Sequence, residues 1–264
     1  MMITAFYIYL VVMIVMAVAV FIILHFVEAG YGMLLHPKWG KTISNKTAWF
    51  CMELPIFVSM LILWLCSDKR FEIVPLVFLI LFQIHYFERV FIFPFLMKGK
   101  SKMPITVMLM GISFNILNAM MQGYWIFHVA YNEPYALFVQ EGTNWFYSWQ
   151  FILGLSLFVI GFIINIHSDH IIRNLRKDEH DTKHYLPKGG LFNYVTSANY
   201  FGEIIEWLGF AILTWSISGL VFFLWTFANL VPRAAAIHKR YKSKFADEME
   251  MRGRNLKKVF PFIY

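Results

Sequence analysis

Seven apolar runs, near 3–27, 47–67, 71–97, 103–130, 146–167, 200–217 and 219–238, alternate with short polar connections. Each is long enough to cross about 30 Å of hydrocarbon as a helix. The pattern therefore predicts an all-α, multi-pass integral membrane protein with seven transmembrane helices. The first run lacks a basic leader and exceeds a signal-peptide core in length, so it is expected to be a retained helix.

Composition agrees with this class. The 264 residues are 59% hydrophobic and 15% charged, with a mean hydropathy of +0.59, outside the soluble globular range. Basic residues then orient the spans, because they accumulate on the cytoplasmic side. Lys38, Lys41 and Lys46 fall in one connection, Lys98, Lys100 and Lys102 in another, and Arg173, Arg176, Lys177, Lys183 and Lys188 in a third, and the C-terminal tail is basic too. The alternate connections hold only Lys69 and Arg70. The N-terminus is expected outside and the C-terminus in the cytoplasm, in a bacterial inner membrane or the endoplasmic reticulum. The net charge of +7 lies on one face, suiting anionic headgroups or an anionic cofactor rather than nucleic acid. Cys51 and Cys66 share one span, which suggests neither a disulfide framework nor a Cys-based metal site. Without repeats or linkers, residues 1–264 read as a single domain with no obligatory protein partner evident.

Polar residues inside the runs carry the candidate chemistry. Glu53 lies in the second run, where an acidic group is costly and a functional role is the default; a neutral carboxyl there can donate to a substrate carbonyl. The competing role is a structural partner for Arg89 or His85. Pro55 frees a backbone carbonyl and can kink the helix. In the third run, Tyr86 and Arg89 share one flank by their spacing. Tyr86 can polarise a carbonyl, and Arg89 can orient it or balance Glu88; an interfacial belt tyrosine is the alternative.

Two polar stripes follow. At 100° per residue, Asn165, Asp169, Arg173 and Arg176 fall near about 0°, 40°, 80° and 20°, one face if the helix continues. Asp169 can accept from ribose hydroxyls or an amide, and the arginines suit phosphate; a solvated helix end is the structural alternative. Asn199, Glu203 and Glu206 form the second stripe. Their carboxylates need partners, which Arg173, Arg176, Arg233 or a carboxamide-bearing ligand could supply. Arg233 and Arg240 share a face of the last run, where basic anchoring also explains the tail. Gly-x-Gly-x-x-Gly, phosphate-loop and His-Glu-x-x-His motifs are absent. His180 and His184 lack a clear third ligand and read as loop histidines, so no metal is expected.

Three segments jointly resemble the steroid 5α-reductase family of NADPH-dependent 3-oxo-5α-steroid 4-dehydrogenases: Glu53-Leu54-Pro55, His85-Tyr86-Phe87-Glu88-Arg89, and the cluster from Asn165 to Trp207. The resemblance runs from about Ala48 to the terminal Pro261-Phe262-Ile263-Tyr264. It implies NADPH as cofactor, hydride delivery to C5 of a 3-oxo-4-ene steroid and protonation at C4. Glu53 and Tyr86 would polarise the C3 carbonyl, with Trp49 among the substrate contacts. Asn165, Asp169, Arg173, Arg176, Tyr185, Asn199, Glu203, Arg233 and Tyr241 would bind the cofactor. The steroid would enter from the bilayer, among membrane lipids. The chain departs from the family at Met52, where Gln is common, and in a longer 177–186 loop. Alternatives are reduction of an enoyl-CoA or polyprenol-type lipid, an isoprenylcysteine carboxyl methyltransferase-like enzyme, and a transporter or lipid receptor.

Overall fold

The computed structural model describes residues 2–178, 180–181, 183–251 and 256–264; Arg252 and Arg254 of the basic tail lie outside the described residues. The chain is mostly helical. Its helices are α1 (Met2–Phe26), α2 (Asn45–Leu65), α3 (Ile73–Phe87), α4 (Phe93–Leu96), α5 (Ile105–Tyr124), α6 (Leu137–Glu141), α7 (Trp149–Asn174), α8 (Ala198–Thr214), α9 (Ile217–Lys244) and α10 (Ala246–Met251). Wider π turns at Glu88–Ile92 and Trp125–Val129 extend α3 and α5.

Among the described residues, six helical stretches are long and apolar enough to cross a membrane: Ile3–Phe26, Asn45–Leu65, Ile73–Leu96, Ile105–Asn132, Trp149–Asn174 and Ile217–Lys244. The protein is thus an integral, multi-pass membrane protein. The remaining expected span corresponds to α8, whose 17 residues rise only about 25 Å and carry Glu203 and Glu206.

Helix α1 packs on α9, α2 on α5, and α8 on both α7 and α9. With no water in hydrocarbon to satisfy stray polar groups, several side chains that cross between elements end on backbone carbonyls. Tyr9 Oη donates to Leu117 O at 2.5 Å, Trp145 Nε1 to Leu213 O at 2.9 Å and Trp225 Nε1 to Met13 O at 2.7 Å. The core is aromatic: Phe78, Phe82, Trp125, Trp145, Trp207 and Phe210 are fully buried. Isoleucines and valines of α1, among them Ile8, Val11 and Val15, stay on the outside, as a lipid-facing surface requires.

Two backbone pairings tie the basic connections together. Strand β1 (Thr42–Ser44) runs antiparallel to β2 (Lys102–Pro104), with Ile43 opposite Met103. Val195 bridges Lys257, and the amides of Thr196 and Ser197 donate to the carbonyls of Lys257 and Lys258.

Candidate active site

The contact between α7 and α8 sets up the site. A Cβ on Gly161 would stand 2.3 Å from the Glu206 nitrogen, and one on Gly202 would stand 2.5 Å from the Asn165 nitrogen. Only glycine lets the two backbones approach this closely. Gly154 and Gly209, seven residues from each, repeat the arrangement. The spacing Gly154…Gly161 and Gly202…Gly209 was a readable sequence signal for this seam, missed by attention to charge alone.

This approach brings the two polar stripes face to face. Asn165 Nδ2 donates to the Asn199 carbonyl at 3.0 Å, and Asn199 Nδ2 donates to Asp169 Oδ1 at 3.2 Å. Arg89, carried by the π turn that follows α3, reaches between the helices. Its Nη1 lies 2.8 Å from Asp169 Oδ2 and its Nη2 3.2 Å from Glu203 Oε2. The guanidinium also faces the Phe93 ring at 4.7 Å and the Trp49 ring at 5.4 Å. A buried cation flanked by two carboxylates is what makes this charge density tolerable. Arg89 was expected to orient Tyr86, to balance Glu88 or to partner Glu53; its ion pairs are instead with the carboxylates of α7 and α8.

Glu206 is satisfied differently from the expectation. His85 Nδ1 lies 2.7 Å from Glu206 Oε1, with both side chains buried, so neither Arg173, Arg176 nor Arg233 serves the carboxylates of α8. Helix α7 ends at Asn174, and the four-residue stripe ends with it. Arg173 turns to His170 at 3.3 Å. Arg176, past the helix end, donates to the carbonyls of Lys98 at 2.9 Å and Lys183 at 3.4 Å.

The carbonyl-polarising candidates sit on neighbouring helices. Glu53 Oε2 accepts from Asn115 Nδ2 at 3.0 Å, and the same amide reaches the Met52 carbonyl at 2.7 Å. Asn118 Nδ2 donates to the Tyr86 hydroxyl at 3.5 Å, and Gln122 Nε2 lies 3.4 Å from Asn118 Oδ1. Asn115, Asn118 and Gln122 are all buried and, three and four residues apart, form one face of α5. Sequence reasoning missed this ladder because it weighed charged residues; three carboxamides at helical spacing inside an apolar run were the signal. Since Asn118 donates to the Tyr86 oxygen, the phenolic hydrogen is left to point at a ligand. The pair also feel one another electrostatically.

Arg233 is buried at the level of the α1–α2 connection. It donates to the Tyr200 hydroxyl at 2.6 Å and to the carbonyls of Ala29 and Tyr31 at 3.3 and 3.4 Å, with the Tyr31 ring 3.4 Å away. Tyr241 packs against Phe245 with ring centres 6.0 Å apart. Tyr185 donates to Asp181 at 2.9 Å, and that bond pushes its phenol above the ordinary range. Asp181 is held low chiefly by the backbone amide of Lys183. Burial, then the charges of Lys244, Arg176 and Arg240, hold His184 below the usual histidine range. These basic side chains therefore gather near one loop. Among the described residues, no group of three His, Cys, Asp or Glu side chains could hold a metal ion.

The comparisons with known proteins agree in one direction. A family model described as 3-oxo-5-alpha-steroid 4-dehydrogenase matches residues 101–264. The chain is 39% identical to steroid 5-alpha-reductase DET2 of Arabidopsis thaliana over 249 residues, covering 92% of this chain and 90% of that protein. It is 38% identical to 3-oxo-5-alpha-steroid 4-dehydrogenase 1 of Homo sapiens over 236 residues, covering 89% and 86% respectively.

Proposed function

The chain belongs to the 3-oxo-5-alpha-steroid 4-dehydrogenase family, and on that premise we propose that it reduces the 4,5 double bond of 3-oxo-4-ene steroids such as progesterone or testosterone, using NADPH. The product is the 5α-dihydrosteroid, with hydride at C5 and a proton at C4. The observation that carries this reading is that Glu53 and Tyr86 are each held by a carboxamide on one face of α5, in a bundle where Arg89, three residues past Tyr86, joins Asp169 and Glu203.

NADPH, when bound, supplies the hydride. The donor set fits such a cofactor: Asp169, Asn199 and Glu203 offer acceptors and an amide for ribose and carboxamide groups, and the Ser197 hydroxyl at the head of α8 is buried without a partner among the described residues. Asn165, Arg173, Arg176, Tyr185, Arg233 and Tyr241 complete the binding set, with Arg176 near the additional phosphate. Glu53 and Tyr86 donate to the C3 oxygen and stabilise the charge that develops there as C5 is reduced. Trp49, against Arg89, belongs to the wall between steroid and cofactor. Arg89 fixes Asp169 and Glu203 so that their free lone pairs face the cofactor.

In this reading residues 1–264 act as a single unit, α8 is a seventh crossing, the N-terminus lies outside and the C-terminus in the cytoplasm. The pairing of β1 with β2 and of Val195 with Lys257 supports it, because each joins two basic connections that this topology puts on the same side. The steroid enters from the bilayer and the cofactor from the basic face. The enoyl-CoA, polyprenol and methyltransferase alternatives are not favoured by the relatives. The test is anaerobic incubation of the purified protein with NADPH and progesterone or testosterone, with products identified by mass spectrometry against 5α and 5β standards. Stoichiometric 5α product is expected; cofactor binding without product rejects the substrate, and no NADPH binding rejects the reductase.

A further inference from the structure

We propose that a groove on the lipid-facing side of the bundle binds a steroid alcohol, with Glu88 accepting a hydrogen bond from its hydroxyl. The groove encloses about 520 Å3 and lies between α2, α3 and α7, walled by Phe57, Ile80, Ile84, Phe87, Phe162 and Ile166. That volume falls within the range of small-molecule sites, roughly 300–1,000 Å3.

Only two polar side chains, Gln83 and Glu88, line it. Glu88 is 9% exposed and has no hydrogen-bond partner among the described residues; the guanidinium of its neighbour Arg89 bonds to Asp169 and Glu203. Gln83 Nε2 donates to the Phe57 carbonyl at 3.0 Å, and its buried Oε1 has no donor among the described residues. Glu88 opens the π turn Glu88–Ile92, a distortion that recurs at functional sites. An unpartnered carboxyl group at this depth is costly unless something supplies its partner.

The chemistry of the partner follows from what is missing. The open positions are acceptors, so the ligand brings a donor. A phosphate or carboxylate headgroup would set negative charge against Glu88, and an acyl chain alone would leave both acceptors unpaired. A ketone brings no donor for Gln83 Oε1, an acceptor in every state, and is bound less well for that reason. From Glu88 back to Ile80, α3 rises about 12 Å, room for a flat ring skeleton with a hydroxyl at one end. The groove thus selects an alcohol, whereas the donors at Tyr86 select a ketone, and it does not depend on the proposed reduction.

The test uses the full chain in phosphatidylcholine nanodiscs without NADPH, labelled by a diazirine-bearing cholesterol, with labelled residues mapped by mass spectrometry. Label is expected on Ile80–Ile92 and Phe162–Ile166, competed by cholesterol and about tenfold less effectively by cholest-4-en-3-one, the scale of one hydrogen bond to a charged group. Glu88→Leu is expected to reduce competable labelling about tenfold. Ile84→Trp, a lipid-facing change that fills the groove and leaves Glu88 and Gln83 in place, should abolish it, and decides the matter if the Glu88 variant does not fold. Labelling outside the groove, equal competition by alcohol and ketone, or unchanged labelling in either variant overturns the proposal.

Discussion

Glu206 and His85 meet at 2.7 Å across α8 and α3, with side-chain exposures of 0% and 4%. The other Glu206 oxygen, Oε2, is buried with no partner, so the histidine is its one hydrogen-bonded contact among the described residues. His85 also packs edge-on against Trp207 at 4.6 Å and Tyr86 at 5.0 Å. The pair therefore locks the orientation of the helix turn that presents Tyr86.

Removing one member leaves the other buried and unpaired. Glu206→Ala is expected to destabilise the fold by about 3–5 kcal/mol. Glu206→Gln keeps a carbonyl that can accept from the imidazole, and should lose clearly less. Denaturation followed in detergent checks the order; equal losses for the two variants would sink this account of the pair.

Glu53→Ala and Tyr86→Phe should each lower turnover by about 10²–10³-fold, the scale of removing one donor from a developing oxyanion, with NADPH affinity unchanged. Turnover and cofactor titration on the same preparations separate these effects. Normal turnover in both variants removes the carbonyl-polarising role.

Asn118→Leu deletes the donor to the Tyr86 oxygen while keeping a side chain of similar bulk. The expected outcome is roughly a tenfold fall in kcat, about the value of one buried hydrogen bond, with KM little changed. A loss confined to KM would place Asn118 in steroid binding instead.

Gly161→Ala places a methyl group where the Glu206 backbone stands, 2.3 Å from its nitrogen. Overpacking of this kind costs about 1–3 kcal/mol, and it separates Asp169 from Asn199 and Glu203. Reduced thermal stability together with weaker NADPH binding is expected. Unchanged cofactor affinity in a destabilised variant would show that the seam does not position the cofactor site.

Arg176→Ala is expected to weaken NADPH binding while leaving NADH nearly unaffected. Among the described residues its guanidinium hydrogen-bonds to the backbone carbonyls of Lys98 and Lys183, which leave its charge unneutralised for a phosphate. Equal loss for both cofactors would exclude a role at the additional phosphate.

The sequence by itself determined that the chain is a bundle of membrane helices, because runs of twenty apolar residues have few other ways to bury their backbone polar groups. It also made Glu53 and Glu203 stand out, since charge inside such runs is expensive and so rarely incidental. Pairing was another matter. Whether Arg89 would serve Glu88, Glu53 or the carboxylates 80 and 114 residues away depends on which helices touch, and hydropathy carries no information about that. Only the tertiary structure decided it, through the glycine seam that lets α7 and α8 close up and through the π turn that carries Arg89 to them. The end of α7 at Asn174 likewise broke a stripe that an unbroken helix would have kept. Helical periodicity places residues on a face, but interhelical packing chooses which face meets which.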